Sequence, residues 1–363
     1  MQSRLRFWKY PIFVILLLLI IAAFTLVYTL TETAKAPYDR DAISDEHVAE
    51  TAQLEEEPEQ IDEPFEPEIS TEPEPEQEPE QEPEPPDELL EFNPNIDGFV
   101  TIHKEESDIH RGPLILVNHD HAFEIPDDLE LINIVDAQTT SFRVQHNASQ
   151  LAPSIIQPLD EMMEAFLAAT NNRSVTIRSA FRNYESQQRI LNTYTSRMGR
   201  REALRWASLP GHSEHHTGLA FDFGIVSGGT VNIFTGTGNT SWFRRNSYRH
   251  GFILRYAQNK THITQTAHEP WHFRYVGLPH SVIMFQNNWC LEEYIEIIGE
   301  YTFEEPFEFE FNEILYEIYF TASTDVRLPL NSEFEISGNN IDGFIVTINR
   351  LDFDPDEIIE AYV

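Results

Sequence analysis

The sequence predicts an α+β fold for the central part of this 363-residue chain. Apolar residues recur at helical spacing in 155–169, and 184–198, 201–208 and most of 279–298 are also expected to be helical. Alternating or uniformly apolar runs predict strands at 175–177, 219–225, 251–256 and 272–276. These strands and helices do not follow a regular βαβ order, which favours an α+β arrangement over a parallel sheet.

The first 30 residues have the pattern of a membrane anchor. Arg4, Arg6 and Lys9 precede an uncharged apolar run at 11–30, and a run of ~20 apolar residues can span a bilayer as a helix. The basic flank predicts that residues 1–10 are cytoplasmic and that the chain after residue 30 is extracytoplasmic. Residues 31–36 could mimic a signal-peptide cleavage site, so removal of the helix stays open. We therefore expect a single-pass protein of the cell membrane.

Residues 31–92 are predicted to form a disordered linker rich in Glu and Pro. Between Asp41 and Glu91 there are 22 acidic residues and no Lys or Arg, which is more than half of the formal net charge of -37. Such a segment buries too little apolar surface to fold, and it should act as an extended spacer. Nucleic acid is excluded as a partner, because its binding requires a basic surface. The single cysteine, Cys290, excludes an intrachain disulfide.

Two folded segments are predicted after the linker. The larger one covers 93–298 and contains the helices and strands described above. The smaller one, 299–363, has short β-like runs at 307–311, 314–321, 333–336 and 344–348 that are separated by turn residues. We interpret it as a small β-rich appendage without catalytic residues of its own.

Two short motifs carry the residues of a catalytic metal site. The first, at 213–222, contains His215 and Asp222, and the second, at 269–272, contains Glu269 and His272. Two imidazoles and one carboxylate can hold a zinc ion and leave a fourth position for water. The second carboxylate can accept a proton from that water and pass it to a leaving amine. A turn at Gly218 would bring Asp222 back beside His215, since glycine allows backbone conformations that are closed to other residues.

The pattern Ser-x-His-x-x-Gly-x-Ala-x-Asp…Glu-x-x-His resembles the zinc D,D-carboxypeptidases of the VanY type. The strings at 179–187, 251–256 and 271–277 are also similar to that family, so the resemblance covers 93–298. It implies a hedgehog/D,D-peptidase-like domain with an antiparallel sheet. It further implies that His215, Asp222 and His272 are the zinc ligands. Glu269 and Arg182 would be the catalytic residues, and Ser213 and Gln187 would bind the substrate.

The resemblance gives each of these side chains a role. Glu269 would be the general base, and Arg182 would stabilise the oxyanion that forms when water attacks the amide. Gln187 would order a loop or contact the substrate, and Ser213 would help to bind its terminal carboxylate. His216 stands where the family usually has Gln, and we expect it to line the pocket or lie on the surface. Ala180 and Ala257 are further departures, which affect substrate fit more than the metal site.

The implied function is that of a membrane-anchored zinc carboxypeptidase. It would remove the C-terminal D-alanine from peptidoglycan stem peptides, at the outer face of a bacterial cytoplasmic membrane. An L,D-carboxypeptidase or a peptidoglycan endopeptidase with the same zinc site remains an alternative. A wall-binding module that has lost catalysis is a third possibility, against which the complete set of His215, Asp222, His272 and Glu269 argues.

Overall fold

The computed structural model describes residues 99–140, 142–330 and 332–350. The predicted cytoplasmic segment 1–10, membrane helix 11–30 and linker 31–92 lie outside the described residues, as does the end of the chain after residue 350. Within the described ranges, no helix has both the length and the apolar character needed to cross a bilayer.

The described residues form short strands and helices in a mixed order. The strands are β1 Phe99–His103, β2 Ile132–Asn133, β3 Arg143–Val144, β4 Gln150–Leu151, β5 Val175–Ser179, β6 Ala220–Ser227, β7 Thr230–Ile233, β8 Phe252–Leu254, β9 His272–Tyr275, β10 Phe307–Phe311, β11 Ile314–Thr321, β12 Asp325–Pro329, β13 Glu333–Gly338 and β14 Phe344–Arg350. The α-helices are α1 Ile134–Ala137, α2 Ile156–Thr170, α3 Tyr184–Met198, α4 Arg200–Ala203, α5 Ser241–Asn246, α6 Thr261–Thr264, α7 His280–Asn287 and α8 Leu291–Ile298.

The largest sheet in the described part of the chain has six strands in the order β3-β5-β6-β9-β8, with β7 paired to β6. Its pairs are antiparallel except for β3 with β5. The prediction of a mixed fold built on antiparallel strands is thus confirmed. Side chains alternate between the two faces of β6, so Phe221 and Phe223 are buried in the core while Asp222 points to the other face.

Helix α2 covers the aromatic face of this sheet. Its buried residues Leu159, Met162 and Phe166 recur at helical spacing, and they belong to the same core cluster as Phe221 and Phe223. Helix α3 begins where the sequence predicts, since the side chain of Asn183 caps it by accepting a hydrogen bond from the Ser186 N–H at 2.9 Å.

Two helical predictions differ from the structure. The helix predicted at 201–208 is only α4, which ends at Ala203 and is followed by turns. The pattern at 279–298 is divided into α7 and α8, because Asn288 adopts the left-handed conformation, with φ of 53°, and ends the first helix.

The C-terminal segment forms its own sheet and packs against the rest of the described chain. Strands β10-β11-β14-β13 form an antiparallel sheet within the described ranges, and β12 pairs with β1. Ile318 and Ile345 share a core cluster with Ile253, Ile283 and other residues from before 299. The strands predicted after 299 are found, but the segment is built into the fold and does not stand apart as an appendage. The predicted boundary at 298/299 itself stays a prediction.

Candidate metal centre and active site

Two neighbouring strands bring Asp222 and His272 together. In the register of β6 with β9, Asp222 is paired directly with His272, and Ser179 of β5 lies across from Asp222 on the other side. Side chains of directly opposed residues lie on the same face of a sheet and are close neighbours. The Asp222 Oδ1 atom is 2.9 Å from Nδ1 of His272.

His215 reaches the same place from a one-turn 3-10 helix, Glu214–Thr217, which immediately precedes β6. The chain reverses at Gly218, whose φ is +71°. A Cβ atom at this position would lie 2.7 Å from the Leu131 side chain and 3.0 Å from the main-chain nitrogen of Ala152. Both the backbone conformation and the lack of space therefore require glycine here, as the sequence indicated.

The three predicted ligands converge on one point. One nitrogen from each histidine and one carboxylate oxygen all lie within 4.8 Å of one another. Nε2 of His215 is 3.4 Å from Asp222 Oδ1. The His215 and His272 side chains are 2% and 3% exposed, and that of Asp222 is 13% exposed. Two imidazole nitrogens and a carboxylate oxygen form a donor set that suits zinc.

The hydrogen bonds of His215 leave one ring nitrogen available for a cation. Its Nδ1 lies 2.6 Å from the main-chain oxygen of Ala180. A carbonyl oxygen only accepts, so Nδ1 carries the proton and Nε2 carries a lone pair. Among the described residues this buried Nε2 has no hydrogen-bond partner. Burial and the nearby Arg182 lower the pKa of His215 to about 4, which keeps the ring neutral. An unpartnered buried lone pair beside a carboxylate fits a metal ligand.

The ring of His272 is held at both nitrogens by carboxylates. Nδ1 contacts Asp222, and Nε2 is 3.1 Å from Oε2 of Glu214. Burial opposes the charged form, but these two hydrogen bonds raise the pKa of His272 to about 9. The two histidines in turn hold the pKa of Asp222 well below its usual range against the effect of burial. A cation between Nδ1 and Asp222 would take the place of the proton there.

Glu269 lies beside the three ligands without joining them. Its Oε2 atom is 4.0 Å from Nδ1 of His272, and the side chain is 10% exposed. The main-chain N–H of Glu269 donates to the carbonyl of Tyr256, which fixes the loop just before β9. Burial raises the pKa of Glu269 to about 8, and the charge of His272 limits the rise. A buried carboxyl group with a raised pKa next to a metal site is suited to proton transfer.

Arg182 is brought to this site by its main chain. Its N–H donates to the carbonyl of His215 at 3.1 Å, and its own carbonyl accepts from Nδ1 of His216 at 2.6 Å. The nearby Arg182 charge lowers the pKa values of both His215 and Glu269. Its Nε–H is buried and, within the described residues, has no acceptor. That free donor is available to an oxygen of a bound molecule.

The remaining predicted residues surround the centre with different contacts. Ser213 is 5% exposed and lies directly before the helix that carries His215. Gln187 is buried and its amide donates to the carbonyl of Ser208 at 2.8 Å, as the loop-ordering alternative requires. The roles of Gln187 and Ser213 in substrate binding stay predictions.

His216 is neither on the surface nor at the metal centre. It is fully buried, its Nε2 accepts from the Gly211 N–H at 3.1 Å, and its ring packs edge-on against Tyr184. The expectation that His216 lines the pocket or the surface is therefore wrong. Both of its ring nitrogens are used to join the 211 loop to the Arg182 segment, which explains why the ring is buried.

Sequence reasoning missed the charged residues behind His272. Glu214 accepts from Arg255 and Arg274, and all three side chains are 0% exposed. These partners are 41 and 60 positions away from Glu214, so no local sequence pattern predicts the two ion pairs. The adjacency of Glu214 to His215 is the one signal in the sequence that could have raised it as a candidate.

The central part of the chain matches a known protein family. The family model for VanY, D-alanyl-D-alanine carboxypeptidase, matches residues 148–278, a range that contains every candidate site residue. A D-alanyl-D-alanine carboxypeptidase of Enterococcus faecium is 32% identical over 249 residues, which is 67% of this chain and 77% of that protein. One from Enterococcus faecalis is 33% identical over 215 residues, or 56% of this chain and 72% of that protein.

A solved structure is similar over a comparable length. The crystal structure of the vancomycin resistance D,D-dipeptidase VanXYg, in complex with a D-Ala-D-Ala phosphinate analogue, has 34% sequence identity and a TM-score of 0.62. The alignment covers 69% of this chain and 99% of that one. It is longer than the predicted domain 93–298, so the likeness extends beyond that segment. The motifs, the fold and these relatives agree, and the chain belongs to the VanY D-alanyl-D-alanine carboxypeptidase family.

Proposed function

We propose that this chain is a membrane-anchored zinc D-alanyl-D-alanine carboxypeptidase that removes the C-terminal D-alanine from peptidoglycan stem peptides. The proposal is carried by the buried group of His215, Asp222 and His272 with Glu269 beside it. The donor atoms of these three residues lie within 4.8 Å of one another and Glu269 is not part of that group, so metal binding and proton transfer are assigned to different side chains.

The residues around the centre divide the chemistry of amide hydrolysis. Zinc held by the three ligands would supply Lewis-acid polarisation and a lower pKa for water. Glu269, whose Oε2 is 4.0 Å from Nδ1 of His272, is placed to accept a proton from the attacking water and to donate it to the departing amine. Arg182 would offer its Nε–H, which has no acceptor among the residues that the structure describes, to the carbonyl oxygen as negative charge develops there.

The substrate and the location come from different evidence. The two enterococcal relatives are named for the D-alanyl-D-alanine bond, and this motivates a peptidoglycan stem peptide as the substrate. Arg4, Arg6 and Lys9 before the apolar run at 11–30 motivate anchoring in the cytoplasmic membrane, with the enzyme on the outer side. In this arrangement the acidic segment 31–92 separates the enzyme from the bilayer.

A D,D-dipeptidase is a second candidate function. It is favoured by the similarity to VanXYg, which is described as a D,D-dipeptidase and covers most of this chain. The two activities differ only in the length of the molecule that precedes the scissile bond. They would use the same metal site, so activity on free D-Ala-D-Ala distinguishes them.

Defined substrates analysed by mass spectrometry test the proposal. The full-length protein with zinc is incubated separately with a stem pentapeptide ending in D-Ala-D-Ala, a stem tetrapeptide, free D-Ala-D-Ala and a cross-linked dimer. Loss of one alanine from the pentapeptide, abolished by a chelator and restored by zinc, is the expected result. Cleavage confined to the tetrapeptide, the free dipeptide or the cross-link would instead assign an L,D-carboxypeptidase, a dipeptidase or an endopeptidase. Binding to peptidoglycan without any cleavage would overturn the enzymatic proposal.

A further inference from the structure

The carboxylate of Glu214 lies behind the metal centre and divides its two oxygens between different partners. Oε1 accepts from Arg255 Nε at 2.7 Å and from Arg274 Nη1 at 2.8 Å. Oε2 is 3.1 Å from Nε2 of His272. The side chain is 0% exposed, so these contacts are not exchanged with water. The carboxylate thus faces the ring of His272 from the side opposite to Asp222.

Both arginines are themselves fixed, so the carboxylate has little freedom to rotate. Arg255 also forms a bidentate ion pair with Glu292, in which Nη1 donates to Oε2 at 2.8 Å and Nη2 donates to Oε1 at 2.6 Å. Arg274 donates to the main-chain oxygens of Pro113 at 3.0 Å and Ile115 at 2.8 Å. Buried charges persist when paired and hydrogen-bonded in this way. Oε1 is therefore the oxygen that serves the arginines, and Oε2 is the one left for the histidine.

This geometry determines which nitrogen of His272 faces the metal. An ionised carboxylate only accepts hydrogen bonds, so Nε2 of His272 must carry a proton. The nitrogen left for a metal is then Nδ1, which lies 2.9 Å from Asp222 Oδ1 and would give up the proton that it shares with that carboxylate when a cation binds. We propose that Glu214 is a positioning residue that holds His272 in the tautomer and orientation in which Nδ1 binds the metal. The inference rests on the proposed zinc site at His215, Asp222 and His272.

The substitution Glu214→Gln would reverse this hydrogen bond at nearly constant volume. The two arginine donors at the Oε1 position require an oxygen there, so the amide NH2 group would take the Oε2 position. It would then donate to Nε2 of His272 and leave the proton on Nδ1, where the metal should bind. Partners of metal-binding histidines typically contribute 10–100-fold to metal affinity. We expect the zinc dissociation constant of Glu214→Gln to rise by about this factor.

Glu292→Gln is the matched control. It changes the other carboxylate of Arg255 and disturbs the same buried network, but Glu292 makes no contact with His272 among the described residues. Both variants should lose thermal stability, whereas only Glu214→Gln should lose zinc affinity. The full-length protein and both variants are titrated with zinc in competition with a chromogenic chelator, and folding is followed by circular dichroism.

A second measurement does not depend on the folding of any variant. In the zinc-loaded wild type, nitrogen NMR of the histidine rings should show one ring bound through Nδ1 with a protonated Nε2, and another bound through Nε2. Two rings bound through Nε2 would overturn the inference. So would equal zinc affinity in Glu214→Gln and wild type, or an equal loss in Glu292→Gln. If the wild type bound no zinc at all, the proposed metal site would fail as well, and that result is distinct from the others.

Discussion

Replacing Glu269 by Gln separates proton transfer from metal binding. The donor atoms of His215, Asp222 and His272 all lie within 4.8 Å of one another, and Glu269, whose Oε2 is 4.0 Å from Nδ1 of His272, is not a member of that group. Glu269 is therefore outside the ligand set, and Gln keeps its shape while removing the proton acceptor. Zinc content and folding should be retained. Turnover should fall by about 10²–10⁴-fold, the usual contribution of a positioned acid–base group. That range corresponds to roughly 2.7–5.4 kcal/mol in the activation free energy.

The assay for Glu269→Gln is release of D-alanine from a stem pentapeptide, measured with metal analysis of the same sample. Asp160→Asn is a suitable control, because Asp160 is also a buried carboxylate but accepts from Thr139 and Thr140 in the core. The control should lose stability and keep its turnover. Near-normal turnover of Glu269→Gln with zinc bound would show that another group takes the proton. Loss of zinc from this variant would place Glu269 among the ligands, contrary to the geometry.

Four further outcomes are expected. With a chelator present, the free energy of unfolding of Glu269→Gln relative to wild type should increase between pH 4.5 and about 8. Over this range the unfolded wild type loses the Glu269 proton, whereas the folded wild type, with its raised pKa, must hold the proton or bury a charge. Denaturation at several pH values measures this difference, and a difference that does not change with pH would contradict the prediction. Arg182→Ala should keep zinc but lose about 2.7–4 kcal/mol of transition-state stabilisation, seen as a lower kcat; unchanged kcat would remove it from the oxyanion site. Gly218→Ala should be destabilised well beyond Gly228→Ala, since both have positive φ but only the first lacks space for a Cβ; equal melting temperatures would refute this. Deleting 55–86 should leave activity on soluble peptides intact and reduce action on intact cell wall, and any loss on small peptides would make the segment part of the folded unit.

Local patterns in the sequence predicted local structure well. Helix α3 has its predicted bounds, because the Asn183 cap and the apolar spacing are both encoded within one segment. The group of His215, Asp222 and His272 could also be anticipated from two motifs, whose residue types and spacing match a known family. Gly218 could be assigned its turn for a similar reason, since its role depends on its own backbone conformation.

Contacts between distant segments were not predictable in the same way. The Arg255 and Arg274 contacts with Glu214 form only after β8 and β9 have been placed beside the 3-10 helix. The burial of His216 was not predictable either, because one of the two partners of its ring nitrogens, the carbonyl of Arg182, lies 34 positions away in the sequence. The packing of the C-terminal strands against the chain before 299 likewise depends on apolar faces that one sequence does not match to each other.

The pairing of β1 with β12 also sets an order of events during synthesis. His103 and Asp325 are paired residues separated by 222 positions. The pair of β1 with β12 therefore cannot form until β12 has been synthesised. Contacts between residues that are far apart in sequence slow folding, and a waiting chain exposes apolar surface that favours aggregation. Closure of this strand pair is therefore expected to be a late step of folding.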